Sequence, residues 1–244
     1  MGSRSGISWT DSTWNPSTGC SRAIVDGEIS EGCRNCYVEK MAERLRRMGV
    51  RKFRDGFRFT LHSDALDLPL RWRRPRFIFV DSMSDLFHEA MPDEFLERCF
   101  KVMEEADQHT YQVLTKRPQR MLDFIRRRRH GEVPDHVWLG VSVELERYLW
   151  RLDILREVPA RIRFVSFEPL LGPMGRVDLT GISWVIVGGE SGPAHRPMAA
   201  GWVRELRDQS VEQGVPFFFK QWGGPRPGGE AVLDGREWRE YPGR

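Results

Sequence analysis

The chain has 244 residues, 40% of them apolar and 30% charged, with 23 glycines, 15 prolines and a formal net charge of +3. This is the profile of a globular protein with a full core, read as one domain over residues 1–244, and it excludes a disordered or low-complexity chain. The opening MGSRSG lacks the apolar stretch of a signal peptide and no run of about 18 apolar residues occurs, so no membrane partner and a cytoplasmic location are expected.

In chain order, ISWT (7–10) reads as a first strand, followed by the turn-rich stretch GCSRAIVDGEISEGCRNCYVEK (19–40) and a helix over 36–48. FRFTLH (57–62) is a weaker strand and RFIFVDS (76–82) a strong one. A helix over 93–107 leads to the strand YQVLTKR (111–117), and a helix over 118–129 to VWLGVSVE (137–144). A helix over 146–157 precedes RIRFVSFEP (161–169); WVIVGGES (184–191), a helix over 200–213 and PFFFKQW (216–222) complete the series. Seven or eight β-rich runs with helices between most of them predict an α/β fold, a TIM-like β/α barrel, complete or partial, with the cysteine loop after its first strand.

Nearly every predicted strand finishes in polar chemistry: Asp81 and Ser82, Thr115 and Lys116, Ser142 and Glu144, Ser166 and Glu168, Gly188 to Glu190, then Lys220 and Gln221. In a parallel barrel those ends open on one face, where the sites of such folds are built. Glu144, Glu168, Glu190 and Lys220 are therefore expected to line a mouth as substrate-orienting or proton-transfer groups. The basic clusters RLRR (44–47), RWRRPR (71–76) and RRRRH (126–130) close helices or precede a strand, so they are expected on the opposite face. Arg22, Arg34, Lys116, Arg117, Arg196 and Lys220 are better placed for a substrate. Trp9, Trp14, Tyr37, Phe87, Phe167 and Trp222 lie near strand ends or the cysteine loop, where aromatics among cations suit a stacked nucleobase.

Of the four cysteines, Cys99 falls at helical spacing with Phe95, Leu96, Val102 and Met103 and reads as core. Cys33 and Cys36 form a CxxC pair, and Cys20 can fold back across a loop as a third ligand. Three thiolates suit two chemistries. One is zinc, with His62 or His88 as fourth ligand or with an open position, either stabilising a nucleic-acid-binding protein or serving a zinc-dependent hydrolase. The other is a 4Fe-4S cluster with one iron left open to S-adenosylmethionine.

The motifs WTDSTWNPSTGC, CRNCYVEKMAERL, DSMSDLFHEAMPDEF, LTKRPQRM, WLGVSVE, FVSFEPLLGP, WVIVGGESGP, RPM and PFFFKQWGG, in this order, closely resemble the three-Cys-motif proteins of phages and bacteria. That family in turn resembles the spore photoproduct lyase-like branch of the radical S-adenosylmethionine enzymes. The resemblance implies a 4Fe-4S cluster on Cys20, Cys33 and Cys36, held by a loop enlarged to twelve residues between the first two, where such enzymes usually have three. It also implies S-adenosylmethionine contacts from Lys116 and Ser142, with Ser82 and Asp85 of SMSDLF close by. The expected substrate is a nucleobase, nucleotide or DNA, undergoing modification or repair. A reductant such as flavodoxin or ferredoxin is expected, and a partner protein supplying missing groups is left open.

Overall fold

The computed structural model describes residues 5–128, 133–226 and 228–243. Seven strands, β1 (Ser12–Trp14), β2 (Phe77–Val80), β3 (Thr110–Thr115), β4 (Val137–Ser142), β5 (Arg163–Phe167), β6 (Trp184–Gly188) and β7 (Phe217–Gln221), pair in chain order into one parallel sheet. The sheet curls into a partial TIM-like barrel that stays open, since β1 and β7 occupy its two edges. Both faces of the sheet are covered, as parallel sheets require, which is why β4, β6 and β7 read as almost unbroken apolar runs.

Among the described residues there are six α-helices: α1 (Glu31–Arg34), α2 (Tyr37–Arg47), α3 (Asp93–Glu105), α4 (Pro118–Arg127), α5 (Trp150–Arg156) and α6 (Ala200–Glu212). The expected helix over 118–129 and the cluster 126–130 extend to Arg129 and His130, which lie outside the described residues. Side chains at alternate strand positions face opposite sides. The outward set, including Ile78, Val113, Leu139, Val165, Val185 and Phe217, packs with Leu96, Cys99, Leu122, Leu155 and Leu206 of the helices into the main core. Cys99 is fully buried there, as its spacing implies.

The inward set forms a second, aromatic core. Trp138, Phe164, Trp184, Ile186 and Phe218 fill the barrel, joined by Trp9 and Tyr241 from outside the sheet. Trp184 alone meets Trp9, Trp138, Phe164, Phe218 and Tyr241 at ring-centroid distances of 5.1–6.1 Å. Gly140 has no side chain because a Cβ there would come within 2.7 Å of the Phe164 ring. ISWT is accordingly not the first strand. Its Trp9 plugs the open barrel, and pairing with β2 begins only at Ser12. FRFTLH contributes only Thr60–Leu61, paired with Ser17–Thr18 away from the main sheet.

One placement reverses an expectation. A helix following a barrel strand normally returns along the outside of the sheet, which would carry RLRR to the far face. Instead α2 packs through Val38 and Ala42 on Phe53 and on Met83, in the turn that follows β2, so it caps the C-terminal mouth. No helix among the described residues is long and apolar enough to cross a membrane.

Candidate functional site

A cavity of about 660 Å³ opens at the C-terminal ends of the strands. Its floor is the top of the aromatic plug, including Trp9 and Phe79. Its wall is the row of strand ends, and its roof is α2 with Phe53 and Phe57. Cys20, Cys33 and Cys36 all line it. Cys33 sits on the one-turn helix α1, and Cys36 is the N-cap of α2, where the amides of Val38 and Glu39 face its sulfur. Amides at a helix N-terminus favour a thiolate. Burial nevertheless pushes the Cys36 thiol up.

Cys20 stands nearer the strand wall. Burial raises its thiol to about 11, against the opposing charge of Arg117, whose guanidinium nitrogens lie 3.7 and 3.8 Å from the sulfur. Arg117 also donates to Asp85 at 2.9 Å, Glu89 at 2.6 Å and Ser21 Oγ at 3.3 Å, so it is held from several sides. Asp85 in turn accepts from Thr115 Oγ1 at 2.7 Å, the Lys116 amide at 3.2 Å and the Phe87 amide at 3.0 Å. With its oxygens engaged, Asp85 organises the end of β3 more than it offers free acceptors. Ser82, also on the wall, donates to Asn15 Oδ1 at 3.1 Å.

Lys116 Nζ lies 3.1 Å from Glu144 Oε1 and is about one-fifth exposed. Burial alone would lower its pKa, but the charges of Glu144 and Cys33 outweigh that and hold it raised. Ser142 lines the cavity, and its hydroxyl finds no hydrogen-bond partner among the described residues. Its neighbour across the β4–β5 ladder, Ser166, likewise has a buried unpartnered hydroxyl.

The four residues expected at the mouth as catalytic groups divide. Glu168 and Lys220 face each other as a short ion pair on the wall, and Glu190 also lines the cavity. Burial would raise the Glu190 carboxyl, but Arg196 at 2.5 Å and Asn35 at 3.2 Å hold it low, so it fastens the cysteine loop to the end of β6. Glu144 is not on the wall. It is fully buried behind it, 2.9 Å from Arg151, which also donates to Ser30 Oγ at 3.2 Å. Gly32 lets the cysteine loop close over this pair, because a Cβ there would come within 2.4 Å of Glu144 Cγ. Alternation would put Glu144 on the same side as Ser142, but β4 ends at Ser142, and in the turn toward α5 Glu144 swings behind the wall to Arg151.

The aromatic expectation also needs correcting. Only Trp9 and Tyr37 of the six line the cavity; Trp14, Phe87 and Phe167 point into the main core, and Trp222 packs at its edge. Of the basic candidates, Arg22, Lys116, Arg117 and Lys220 line the cavity and each is ion-paired, whereas Arg34 and Arg196 stand outside the wall.

Asp81 was legible only as a strand end, not as a site group. It lines the cavity with φ of 54°, a left-handed conformation that costs a non-glycine residue energy and clusters at functional sites. Burial raises its carboxyl to about 7, with Asp85 adding to the rise, although Ser17 donates to it through both amide and hydroxyl at 3.0 and 2.7 Å.

Among the described residues, no three His, Cys, Asp or Glu side chains stand close enough together to hold a single metal ion. Thiolates on one zinc ion, each at about 2.3 Å, would have to crowd into one coordination sphere. A four-iron cluster takes one thiolate per iron, which suits thiols set around the wider gap of one cavity. The fourth ligands considered for zinc are engaged elsewhere: His62 Nε2 lies 2.8 Å from Thr18 Oγ1, and His88 Nε2 accepts the Ser21 amide at 3.0 Å. Three thiols lining one cavity are a donor set that an iron-sulfur cluster can take.

The fold is similar to that of spore photoproduct lyase. A structure of that enzyme complexed with dinucleoside spore photoproduct superposes with a TM-score of 0.50 at 12% identity, covering 87% of this chain and 64% of the lyase. A doubly substituted lyase with bound AdoMet and the same dinucleoside gives 0.48 at 11% identity, with the same coverage. This chain thus spans under two thirds of the lyase's length. By sequence, the chain belongs to the family described as "Protein of unknown function (DUF5131)", which matches residues 4–242. That match carries no designation as a three-Cys-motif phage protein. No curated protein matches the chain.

Proposed function

We propose that this protein is a radical S-adenosylmethionine enzyme in which Cys20, Cys33 and Cys36 hold a 4Fe-4S cluster, acting on a nucleobase, nucleotide or nucleic acid. The observation that carries the reading is the convergence of three thiols on one cavity at the C-terminal mouth of a partial parallel barrel. The likeness in fold to a lyase whose structure holds a dinucleoside supports the substrate class. When bound, such a cluster supplies the electron and the open iron position used to cleave S-adenosylmethionine to a 5′-deoxyadenosyl radical.

The chain's own groups have separable tasks. Arg117 places a positive charge beside Cys20 that opposes, without overcoming, the burial that raises its thiol, so a bound metal centre would have to complete the shift to thiolate. Ser142 offers an unpartnered hydroxyl and Lys116 a partly exposed ammonium on the wall, a pair suited to the hydroxyl and carboxylate groups of S-adenosylmethionine. Asp85 fixes the Thr115–Arg117 turn that presents Lys116. Lys220 Nζ, paired with Glu168 on the opposite part of the wall, is a proton donor facing the cavity, and Asp81 exchanges its proton near neutral pH. The aromatic plug closes the cavity from below and keeps water from entering through the barrel.

Anaerobic reconstitution with iron and sulfide, then addition of dithionite and S-adenosylmethionine, is expected to yield 5′-deoxyadenosine. Its absence with iron demonstrably bound overturns the reading. Alanine at Cys20, Cys33 or Cys36 is expected to abolish the cluster spectrum, whereas Cys99→Ala keeps it and lowers stability only.

A further inference from the structure

The positive charge of this chain is concentrated on the cap. Residues 34–58 carry nine Lys and Arg against three Asp and Glu, a net +6, while the whole chain is +3, so the remainder sums to −3. The arginines of the described part of the 126–130 cluster are neutralised: Arg126 by Glu157, Arg127 by Asp93 and Arg128 by Glu97 and Glu104. The cations of RWRRPR precede β2, at the end of the barrel remote from the cavity. On the cap, Lys40, Arg44, Arg51 and Arg58 are exposed and form no ion pair among the described residues.

The cap is two-sided. Tyr37, Met41 and Leu45, four residues apart on α2, line the cavity together with Phe53 and Phe57. Lys40 and Arg44 share the same four-residue spacing one position earlier, so a cationic stripe runs beside the cavity-lining stripe on one helix. Arg51 and Arg58 flank Phe53 and Phe57 in the segment packed against α2. These four cations of the cap thus stand beside the cavity-lining residues without an ion pair among the described residues, whereas those on the cavity wall are each taken by a carboxylate.

We infer that the cap is the docking surface for a nucleic-acid strand, whose phosphates lie over Lys40, Arg44, Arg51 and Arg58 while a base enters the cavity beneath. The inference rests on the substrate class proposed above and narrows it from nucleotide to polymer. A single phosphate needs one cation; an unpaired row along a cavity rim matches a repeating anion. An acidic electron-donor protein would need only proximity to the cysteines, not continuity between the cationic stripe and the cavity, and that continuity favours the strand.

The test is fluorescence anisotropy with a labelled single-stranded oligonucleotide of about twelve nucleotides, titrated at several salt concentrations, with a mononucleotide for comparison. The protein is used as purified, without reductant. The oligonucleotide is expected to bind far more tightly than the mononucleotide. In the combined variant Lys40→Gln, Arg44→Gln, Arg51→Gln and Arg58→Gln, affinity should fall at least tenfold at low salt. The salt slope should drop by about three, at about 0.7 per phosphate contact. Arg126→Gln with Arg127→Gln should change neither. An unaltered slope in the combined variant, with its circular dichroism spectrum unaltered, overturns the inference. So does a variant that keeps the oligonucleotide but loses an acidic flavodoxin. The binding needs neither cluster nor S-adenosylmethionine, so failure to form 5′-deoxyadenosine would count against the proposed chemistry and leave this result standing.

Discussion

The lower and upper halves of the barrel interior are built from the same seven strands on opposite principles. Below, inward positions carry Trp138, Phe164, Trp184 and Phe218, and rings pack against rings with Trp9 and Tyr241 closing the gap. Above, the next inward positions carry Thr13, Ser142, Ser166 and Lys220, and a cavity remains. The difference teaches where each kind of damage should register. The lower half holds the barrel's shape and stores no chemistry, whereas the upper half holds polar groups in pairs and leaves a few hydroxyls free for a ligand.

That contrast is tested most severely from below. Trp184→Ala removes the ring that touches five others and should cost about 3–5 kcal/mol, seen as a fall in the urea midpoint. An effect confined to ligand binding would show that the plug is not the structural half. At the boundary, Arg151→Ala leaves Glu144 buried without its closest partner and should also cost about 3–5 kcal/mol. Because Glu144 sits under Gly32, iron retention after reconstitution should fall with it. Arg151→Ala with full stability would mean that Lys116 alone compensates the charge.

Asp81 gives a smaller effect with a definite sign. Its carboxyl is raised from 3.8 to about 7 by burial, so between those values the folded state holds a proton that the unfolded state has lost. Stability from this group is therefore complete below about pH 4 and declines as pH rises through about 7. Urea midpoints compared at about pH 5 and pH 8 should show this decline in the parent and lose it in Asp81→Asn. A steeper decline in the variant would contradict the assignment. The smallest effect belongs to Ser142→Ala. Its hydroxyl has no partner among the described residues, so the melting temperature should stay put while S-adenosylmethionine affinity, read by calorimetry on the reconstituted protein, falls about threefold to tenfold. A shifted melting temperature with unchanged affinity would make Ser142 structural.

Much of the architecture is legible in the sequence. Five of the seven sheet strands lie within the runs expected for them and β3 begins one residue ahead of its run, because buried parallel strands are continuous apolar runs closed by polar ends. Ser82, Lys116, Ser142, Glu168, Glu190 and Lys220 all reach the cavity for the same reason. The errors share a different cause. ISWT has strand composition, but Trp9 is spent as a plug in a barrel that does not close. The helix after the cysteines has an amphipathic pattern that suits the outside of a sheet equally well as a lid; only its contacts with Met83 and Phe53 show that it is a lid.

Local sequence encodes the alternation of strands and helices, the shared face of their polar ends and the grouping of three thiols in one loop. These follow from local periodicity and spacing, which pairwise neighbours along the chain suffice to encode. Long-range packing sets the rest: α2 roofs the mouth, Arg117 stands beside Cys20 across a separation of 97 residues, and Glu144 is clamped behind the wall by Arg151 instead of facing a ligand. Each of these depends on which of several possible partners a buried charge or apolar face meets, and that competition is settled by packing across the whole molecule.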